Sequence, residues 1–536
     1  MRLPFVILGL AIFFSLFLGP LFHKGVYNAH DSEVNIARFA AYYNAFQDGQ
    51  FPPRWAGDFN YSFGSPALIF FYPLPGYIAS LVHSLGINLE NSYKILMGLA
   101  FILAPVFWYL WARMLVRNEI AIISSILYGL VPYRFLNMYV RGDIGELLSL
   151  ALIPLVLLFI EKTLRKNNIQ TMVLGGIFYG LLILSHNVLS LIFSPVLLAY
   201  SILRRKKDYL FNIFPIFIIG LFISAFFFLP AIFESQYLNT SLFIETFKNH
   251  FPPFSKLIYS TWGFGPNVNK EGGLSPQIGP LYILFVFASA FFLLTKKRHR
   301  IDISFWLIVF AISVFLTTSK SIFLWENLPL IKLFQFPWRF VSLASFASVS
   351  LAMYVLSVVD NRKVIIGVFL VAVLVSLPFV KVNGYEERVD EYYYTYKGTT
   401  SFHGETTTIW TAGDFYELPK SEFEIIEGEG EIIESSKKSN LHALIVDGET
   451  DLTVLDNTVY FPGWRVEVEG KKVPVEFQNP NHRGLITFEV PKGTHEISVS
   501  FGESPVRLLS DYISLFGIFL VTLVLALRKR LNKIIK

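Results

Sequence analysis

Long runs of apolar residues constrain this chain more than any other feature of its sequence. Roughly 20 apolar residues in a helix span the core of a bilayer, and about twelve runs of this kind occur here. Only 16% of the residues are charged, against about 25% in an average soluble protein. The sequence therefore predicts a mainly α-helical, polytopic membrane protein. The predicted crossings are Leu3–Phe22, Ser92–Trp111, Ile120–Leu136, Ile144–Ile160, Met172–Leu184, Val188–Leu203, Leu210–Leu229, Pro280–Leu294, Ile303–Leu316, Phe340–Val359, Val364–Val380 and Leu509–Leu527.

The charges of the loops predict the orientation of these crossings. Short cytoplasmic loops are enriched in Lys and Arg, and basic clusters recur here after every second crossing. All of them are cytoplasmic if Arg2 is inside and if the apolar segment Pro66–Leu85, broken by Pro73 and Pro75, enters and leaves by the same face. We therefore expect a multi-pass protein of the plasma membrane with both termini in the cytoplasm. The clusters are Arg113 with Arg117, Lys162 with Arg165 and Lys166, Arg204–Lys207, Lys296–Arg300, Arg362 with Lys363, and Arg528–Lys533.

The stretch between residues 381 and 507 is hydrophilic and acidic. Its second half alternates apolar and polar residues, which is typical of short strands, and Gly, Pro and Asn turn signals separate them. The sequence predicts a transmembrane domain at 1–380, an external β-sandwich-like domain at 381–507, and a last helix with a basic cytoplasmic tail at 508–536. The Glu-rich stretch Glu427–Ser439 is interpreted as a hairpin or a loop. The predicted strands are Leu441–Val446, Leu452–Phe461, Trp464–Glu469, Val473–Phe477, Leu485–Val490 and His495–Phe501.

Composition excludes several classes of site and partner. The chain has no Cys, so disulfides, thiolate catalysis and cysteine metal sites are excluded. The net charge of +5 is explained by the basic loops. No basic stripe with interleaved aromatic residues occurs, so no nucleic-acid partner is expected. The first run lacks a small-residue cleavage site and is interpreted as an uncleaved helix, not as a signal peptide.

Ionisable residues beside membrane-embedded helix ends are costly and are candidates for function. Asp31 and Glu33 follow the first crossing and precede Val34–Phe46, whose apolar spacing predicts a helix along the membrane interface. We consider both carboxylates as candidate catalytic residues. The alternative for Asp31 is a cap at the start of that helix.

A second candidate group consists of Arg141, Asp143 and Glu146, where the fourth crossing begins. Glu146 follows Asp143 by about one helical turn, so both carboxylates share a face. The alternative is a helix cap combined with a structural ion pair between Arg141 and Asp143. We consider the two carboxylates as catalytic candidates and the arginine as a binding residue.

Three further binding candidates lie on the same predicted face. His186 lies between two crossings with almost no loop, Glu234 follows Pro230, and Arg339 begins the tenth crossing. His186 could equally be a hydrogen-bonded turn residue, and Arg339 could snorkel beside an aromatic anchor. Carboxylates, a histidine and arginines together suit a general base that acts beside an anionic leaving group, and the guanidinium fork of Arg339 suits a phosphate.

The order of these features resembles the GT-C glycosyltransferases. More narrowly, it resembles the YfhO-like membrane proteins, which overlap proteins named for a 6-pyruvoyl-tetrahydropterin synthase-related membrane domain. The resemblance covers nearly the whole chain. The stretches that carry it are Ala29-His30-Asp31, Tyr139–Glu146, Phe336–Phe340, Gly398-Thr399-Thr400 with Gly404-Glu405, Phe461–Arg465, Gly484–Ile486, Val490–His495 and Pro505–Arg507.

The resemblance implies a GT-C-like fold and transfer of a sugar from a polyprenyl-phosphate carrier to a glycan, lipid or protein acceptor on the external face. Asp31 would be the general base, and Asp143 and Glu146 would position the acceptor or a divalent metal, Mg or Mn. Arg141, His186 and Arg339 would neutralise the lipid phosphate. The first loop carries one clear Asp where the family pattern has an acidic pair, which leaves metal use open. A non-catalytic assembly protein of the cell envelope and a lipid or glycan transporter are the alternatives, and charge-poor helices count against the transporter.

Overall fold

A computed structural model of the protein describes residues 2–166, 168–204, 213–239, 246–398, 404, 406–411, 413 and 415–535. Three sequence predictions lie partly outside these residues: the basic residues 205–207, the start of the crossing Leu210–Leu229, and the motif residues Thr399, Thr400 and Glu405.

The helices are α1 (Leu3–Ser15), α2 (Ser32–Gln47), α3 (Ala67–Phe70), α4 (Leu74–Ser84), α5 (Leu89–Ala112), α6 (Asn118–Gly129), α7 (Pro132–Phe135), α8 (Ile144–Lys166), α9 (Ile169–Ser185), α10 (Asn187–Leu203), α11 (Phe214–Phe233), α12 (Phe254–Ile258), α13 (Pro280–Thr295), α14 (Arg300–Thr317), α15 (Ile322–Asn327), α16 (Pro329–Lys332), α17 (Val341–Val359), α18 (Arg362–Ser376), α19 (Asp390–Tyr394) and α20 (Pro505–Ile535).

Membrane-length helices dominate the described residues. Seven of them are long and apolar enough to cross a bilayer, and α6 and α7 make an eighth candidate that bends by 45°. The apolar helices α1, α9, α10 and α13 are shorter than the roughly 20 residues that a bilayer core requires. Each predicted crossing falls on one of these helices. The predicted fold class, a mainly helical polytopic membrane protein with a β domain before the last helix, is confirmed.

The segment Pro66–Leu85 is not a single helix. Helix α3 ends at Phe70, Phe71 has extended backbone, and α4 begins at Leu74 with proline in its first turn. Proline is tolerated in a first turn but breaks a helix interior, which explains the break. Helix α4 has 11 residues, about 16 Å at 1.5 Å per residue, which is too short to span the bilayer core.

Helices α8 and α17 form the centre of the bundle. In both, 94% of the apolar stretch is buried against other parts of the protein, whereas only 17% of that of α18 and 22% of that of α20 is buried. The helices α18 and α20 therefore lie at the periphery, where exposed Leu, Val and Phe side chains suit contact with lipid.

The β domain consists of two antiparallel sheets. One has five strands in the order β4-β5-β10-β7-β8, and the other has three in the order β3-β6-β9. A separate pair, β1 with β2, joins the chain after α1 to the chain after α18. The strands are β1 (Val26–Tyr27), β2 (Tyr385–Glu386), β3 (Phe423–Glu427), β4 (Gly430–Lys437), β5 (Leu441–Gly448), β6 (Leu452–Val459), β7 (Trp464–Val468), β8 (Lys471–Val473), β9 (Leu485–Val490) and β10 (Gly493–Phe501).

Two strand predictions need correction. The predicted strand Val473–Phe477 shares only Val473 with the observed strand β8, which covers Lys471–Val473. The strand ends there because Pro474 follows and cannot donate to a ladder. The Glu-rich stretch Glu427–Ser439 is neither a loop nor a simple hairpin, since β4 fills most of it and pairs with β5, while β3 belongs to the other sheet. The high Glu content concealed a strand whose side chains are mostly exposed.

The β domain shares its core with the segment between α2 and α4. Trp55, Phe63 and Ile69 are buried in the same apolar cluster as the strand residues Val454 and Val466. Trp55 meets the Trp464 ring edge-on, with 5.4 Å between ring centroids. This segment and the β domain are therefore packed as one unit over the helix ends.

The basic loops meet at the opposite end of the bundle from this unit. Arg117 is paired with Asp360, and Arg204 with Asp302 at 2.6 Å. These contacts join loops that were predicted to share a membrane face, which agrees with the alternation of basic and polar loops.

Candidate functional site

Two segments that follow α1 and α7 meet through their backbones to build the site. The N–H groups of His30 and Asp31 donate to the carbonyl oxygens of Val140 and Arg141, at 3.0 and 2.8 Å. Gly142 has φ +66°, and a Cβ atom there would lie 2.7 Å from the hydroxyl of Tyr93. Glycine therefore allows both the turn and the close approach of the two segments.

A bend in the second of these segments turns its polar residues inward. After α7 the chain continues as a π-helix from Leu136 to Arg141 and ends at Gly142. Asp143 then caps α8, because its Oδ1 accepts the N–H of Glu146 at 2.9 Å. Such π-helical turns recur at functional sites, and this one holds Arg141 and Asp143 beside each other.

Arg141 bridges the two carboxylates of this segment. Its Nη2 lies 2.7 Å from Oδ2 of Asp143, and its Nη1 lies 2.8 Å from Oε1 of Glu146. Its guanidinium also stacks on the ring of Trp338, 4.7 Å from the centroid. All three members of the ion-pair network are buried, so the charges compensate one another in a medium of low dielectric constant.

Glu146 is fully occupied by protein partners. Its Oε1 also accepts a hydrogen bond from Nε of Arg339 at 3.2 Å. Its Oε2 accepts hydrogen bonds from Tyr133 at 2.8 Å and Asn137 at 3.1 Å. The side chain is completely buried and lies behind the residues that line the cavity. Its position indicates that it holds Arg141 and Arg339 in place.

Asp31 differs from the other carboxylates of the site. It precedes α2, but its side chain does not cap that helix, and within the described residues the carboxylate accepts no hydrogen bond. It is half-buried and faces the cavity. Burial raises the pKa of Asp31 above its ordinary value; Arg141 opposes this rise and Asp143 adds to it. The result is a carboxylate with a free acceptor and increased basicity.

His186 has a defined tautomer. Its Nδ1 accepts the N–H of Leu189 at 3.0 Å and so caps α10, which leaves the proton of a neutral ring on Nε2. That Nε2 lies 3.8 Å from Oδ2 of Asp143. Burial lowers the pKa of His186 to about 4, although Asp143 opposes the shift. At neutral pH the ring is therefore an uncharged donor.

These groups face one cavity of about 590 Å³, a volume in the usual range for a ligand site. Asp31, Arg141, Asp143, His186 and Arg339 line it together. Apolar and aromatic side chains supply much of the remaining wall. Polar side chains, among them Arg38 and His250, line it as well, together with Thr406 from the stretch after α19. The apolar and aromatic side chains are Phe70, Phe71, Tyr72, Val188, Ala231, Leu238, Leu274, Phe336 and Trp338.

Glu33 and Glu234 lie outside this cavity. Glu33 is 2.9 Å from Nη1 of Arg388, and its side chain is 42% exposed. Glu234 is buried and paired with Arg507 at 3.2 Å. Both carboxylates thus join the transmembrane part to the segments around the β domain and do not approach the other site residues.

A profile of the 6-pyruvoyl-tetrahydropterin synthase-related membrane domain matches residues 68–382, which is more than half of the chain. The chain belongs to this family of membrane proteins. The match includes the helices that carry Asp143, His186 and Arg339, whereas Asp31 precedes it.

This chain is similar at low sequence identity to one curated protein and to solved glycosyltransferase structures. An uncharacterized protein of Lactococcus lactis subsp. cremoris (strain MG1363) is 23% identical over 188 residues, which are 33% of this chain and 30% of that protein. The arabinofuranosyltransferase AftD from Mycobacteria is 16% identical with a TM-score of 0.44, over 73% of this chain and 27% of AftD. The oligosaccharyltransferase of Archaeoglobus fulgidus, tethered to an acceptor peptide, has the same identity and TM-score over 73% of this chain and 55% of its own. This chain therefore matches less than two thirds of the length of each.

Several residues that line the cavity were not predicted from the sequence. Arg38 lies on the buried side of α2, two helical turns after Asp31, a spacing that could have indicated a shared face. Tyr72 lies in the break between α3 and α4, where its hydroxyl is 3.4 Å from Oδ1 of Asp143. His250 comes from a distant loop and packs against Phe336, and no pattern in the sequence indicates this contact.

Within the described residues, one cluster of side chains could hold a metal ion. Ligand atoms of Asp143, Glu146 and His186 lie within 4.8 Å of one another, a spacing compatible with a metal ion. However, the guanidinium of Arg141 bridges both carboxylates, and the oxygens of Glu146 are already occupied. A metal held by all three residues would have to displace Arg141 from this position.

Proposed function

We propose that this protein is a membrane-embedded glycosyltransferase, which transfers a sugar from a polyprenyl-phosphate carrier to an acceptor hydroxyl at the external face of the membrane. The acceptor belongs to a glycan, a lipid or a protein. The observation that carries this proposal is the free carboxylate of Asp31, which faces a cavity that is also lined by guanidinium groups. This pairing of a base with cationic groups suits displacement of an anionic leaving group.

In the proposed reaction, Asp31 accepts the proton of the acceptor hydroxyl. The hydroxyl oxygen forms a bond to the anomeric carbon of the sugar, and the bond from that carbon to the phosphate oxygen breaks. The leaving oxygen takes the bonding electron pair as part of the lipid phosphate. Proton transfer to a positioned base contributes typically 10²–10⁴-fold to such a rate, and the raised pKa of Asp31 increases its basicity.

Asp143 and His186 have supporting roles in this proposal. Asp143 is held by Arg141 and by the start of α8, so it is poorly placed to accept a further proton. The neutral His186 presents its Nε2–H toward the cavity and can donate to a sugar hydroxyl or a phosphate oxygen. The apolar side chains of the cavity wall suit the first isoprene units of a carrier chain.

The test is sugar transfer by the purified full-length chain in nanodiscs, with radiolabelled polyprenyl-phosphate sugars and an extract of the cell envelope as acceptor. We expect labelled product or slow release of free sugar with the wild type, and neither with Asp31→Asn. A correctly folded wild type that binds no polyprenyl-phosphate sugar would contradict the proposal. Equal product formation by wild type and Asp31→Asn would exclude Asp31 as the base.

A further inference from the structure

Most buried arginines in the described part of this chain have a carboxylate partner. Arg54 pairs with Asp511 at 2.7 Å and Arg507 with Glu234 at 3.2 Å. At the site, Arg141 pairs with Asp143 and Glu146, and Arg339 with Glu146. The positive charges of these two cavity arginines are therefore already balanced within the protein. The buried arginines are Arg38, Arg54, Arg134, Arg141, Arg339 and Arg507.

Arg38 has no such partner among the described residues, although its exposed fraction is only 7%. Its Nη1 donates to Oδ1 of Asn35 at 3.1 Å, and its buried Nε has no partner. The guanidinium lies over the ring of Phe71, 3.7 Å from the centroid, and lines the cavity. Asn35 donates in turn to the carbonyl oxygen of Gly142 at 3.0 Å, which fixes Arg38 relative to the ion-pair network.

Arg134 shows what a purely structural arginine looks like in the same protein. It is also buried without a carboxylate and stacks on Phe101. However, its Nη1 and Nη2 donate to the carbonyl oxygens of Gly129 and Phe101, at 3.0 and 2.6 Å, and it does not line the cavity. In Arg38, by contrast, Nη2 makes no hydrogen bond to the described residues and remains available to a ligand.

An unbalanced buried charge is costly, since removing an ion from water carries a penalty that normally requires a partner of opposite charge. A stacked aromatic ring offsets part of this penalty but leaves the N–H donors of Arg38 unused. Asp31 immediately precedes α2, and Asn35 and Arg38 follow it at one-turn intervals on one face of that helix. Side chains in a helix lean toward its N-terminus. The free donors of Arg38 are thus directed to the side of the cavity where Asp31 lies.

We propose that Arg38 binds the phosphate group of the lipid-linked donor and supplies the positive charge that receives the leaving oxygen. This inference rests on the proposed glycosyl transfer and changes the roles within the site. Arg141 and Arg339 are then positioning residues whose charges are balanced by Asp143 and Glu146, and Arg38 is the cavity arginine that has no ion-pair partner among the described residues and can pair with an anionic ligand. The guanidinium group can donate to two phosphate oxygens at once. Stacking on the ring of Phe71 restricts the orientation of the guanidinium plane.

The experiment measures binding of farnesyl phosphate, farnesol and inorganic phosphate to the purified full-length chain by thermophoresis in detergent. We expect Arg38→Gln to weaken farnesyl phosphate binding roughly 10- to 100-fold, as for the loss of charged hydrogen bonds, and to leave farnesol binding unchanged. Arg38→Lys should recover part of the loss, because it keeps the charge but not the fork. Arg483→Gln, at an exposed position of the β domain, is the matched control and should bind as the wild type does.

Thermal unfolding without ligand separates binding from packing. Arg38→Gln should unfold at or above the wild-type temperature, since it removes a buried charge that has no ion-pair partner among the described residues. Unchanged farnesyl phosphate affinity in Arg38→Gln, or a marked loss of unliganded stability, would overturn the role of Arg38. Arg38-dependent binding of inorganic phosphate without binding of farnesyl phosphate would keep the anion site but contradict the lipid-linked donor and with it the proposed function.

Discussion

The backbone N–H of Asp31 donates to the carbonyl oxygen of Arg141 over 2.8 Å. This bond joins the segment after β1 to the segment that precedes α8, and it fixes the free carboxylate beside the ion-pair network. A side chain that must accept a proton gains from such rigid placement, because little reorganisation is then needed during the reaction. In the proposed reaction Asp31 is therefore a positioned base, although its side chain makes no hydrogen bond to the described residues.

Replacement of this carboxylate should abolish transfer without unfolding the protein. We expect Asp31→Asn to lower kcat by about 10²–10⁴-fold with a melting temperature close to that of the wild type, because the carboxylate has no hydrogen bond to lose. Glu33→Gln is the matched control on the same helix, and its rate should remain within a few fold of the wild type. A large loss in Glu33→Gln together with an active Asp31→Asn would assign the base to Glu33.

The rate of transfer should fall on the acid side of its pH profile. Asp31 acts only when deprotonated, so the rate is low below its pKa and rises to a plateau above it. Burial raises this pKa. The midpoint of the acid limb of the pH–rate profile should therefore lie above the pKa of about 3.9 for an ordinary Asp. His186 has its pKa lowered to about 4, and His186→Gln should change the plateau but leave the position of the limb. A limb that moves with His186→Gln would identify the histidine as the titrating group.

The sequence located the parts of the site better than their roles. Alternating basic loops and acidic helix ends placed Asp31, Arg141, Asp143, Glu146 and His186 on one face. All of these residues except Glu146 line one cavity. Patterns along the chain do not reveal hydrogen bonds between distant segments. For this reason the occupied oxygens of Glu146 and the unpaired Arg38 on the buried side of α2 could not be predicted.

The fold was predictable where a single physical rule dominates. Apolar runs identified the crossings, and prolines identified the break before α4. Ion pairs between distant segments were less predictable. Glu234 satisfies the pattern of a functional residue at a helix end, but it forms an ion pair with Arg507 in a far part of the chain. In the β domain the exposed, Glu-rich strand β4 lacks the alternation that identified its neighbours.

Glu146 should be needed for stability more than for chemistry. Glu146→Gln leaves Arg141 and Arg339 with less opposing charge in a buried network, and breaking such a network costs on the order of 3–5 kcal/mol. We expect a clear fall in the unfolding temperature in detergent. Glu33→Gln removes only an exposed ion pair, which typically contributes about 0–1 kcal/mol, and serves as the reference. Equal stability of the two variants would contradict the structural role of Glu146.

Removal of divalent ions should leave transfer unchanged. Arg141 already bridges Asp143 and Glu146, so the position between these carboxylates holds a protein cation. We expect the rate after treatment with EDTA to match that of the untreated protein and added Mn²⁺ or Mg²⁺ to have no effect. Loss of activity on chelation, with recovery on addition of Mn²⁺, would show that a metal displaces Arg141 in the working enzyme.

The orientation in the membrane can be tested with single cysteines, because the chain has none of its own. The basic loops meet one another through pairs such as Arg204 with Asp302, and positive charge favours the cytoplasmic side. Lys297 lies in one of these loops and Lys492 lies in a turn of the β domain, and both are exposed. In intact cells an impermeant maleimide should label Lys492→Cys, whereas Lys297→Cys should react only after permeabilisation. Labelling of Lys297→Cys in intact cells with protection of Lys492→Cys would reverse the orientation, and the cavity with Asp31 would then face the cytoplasm.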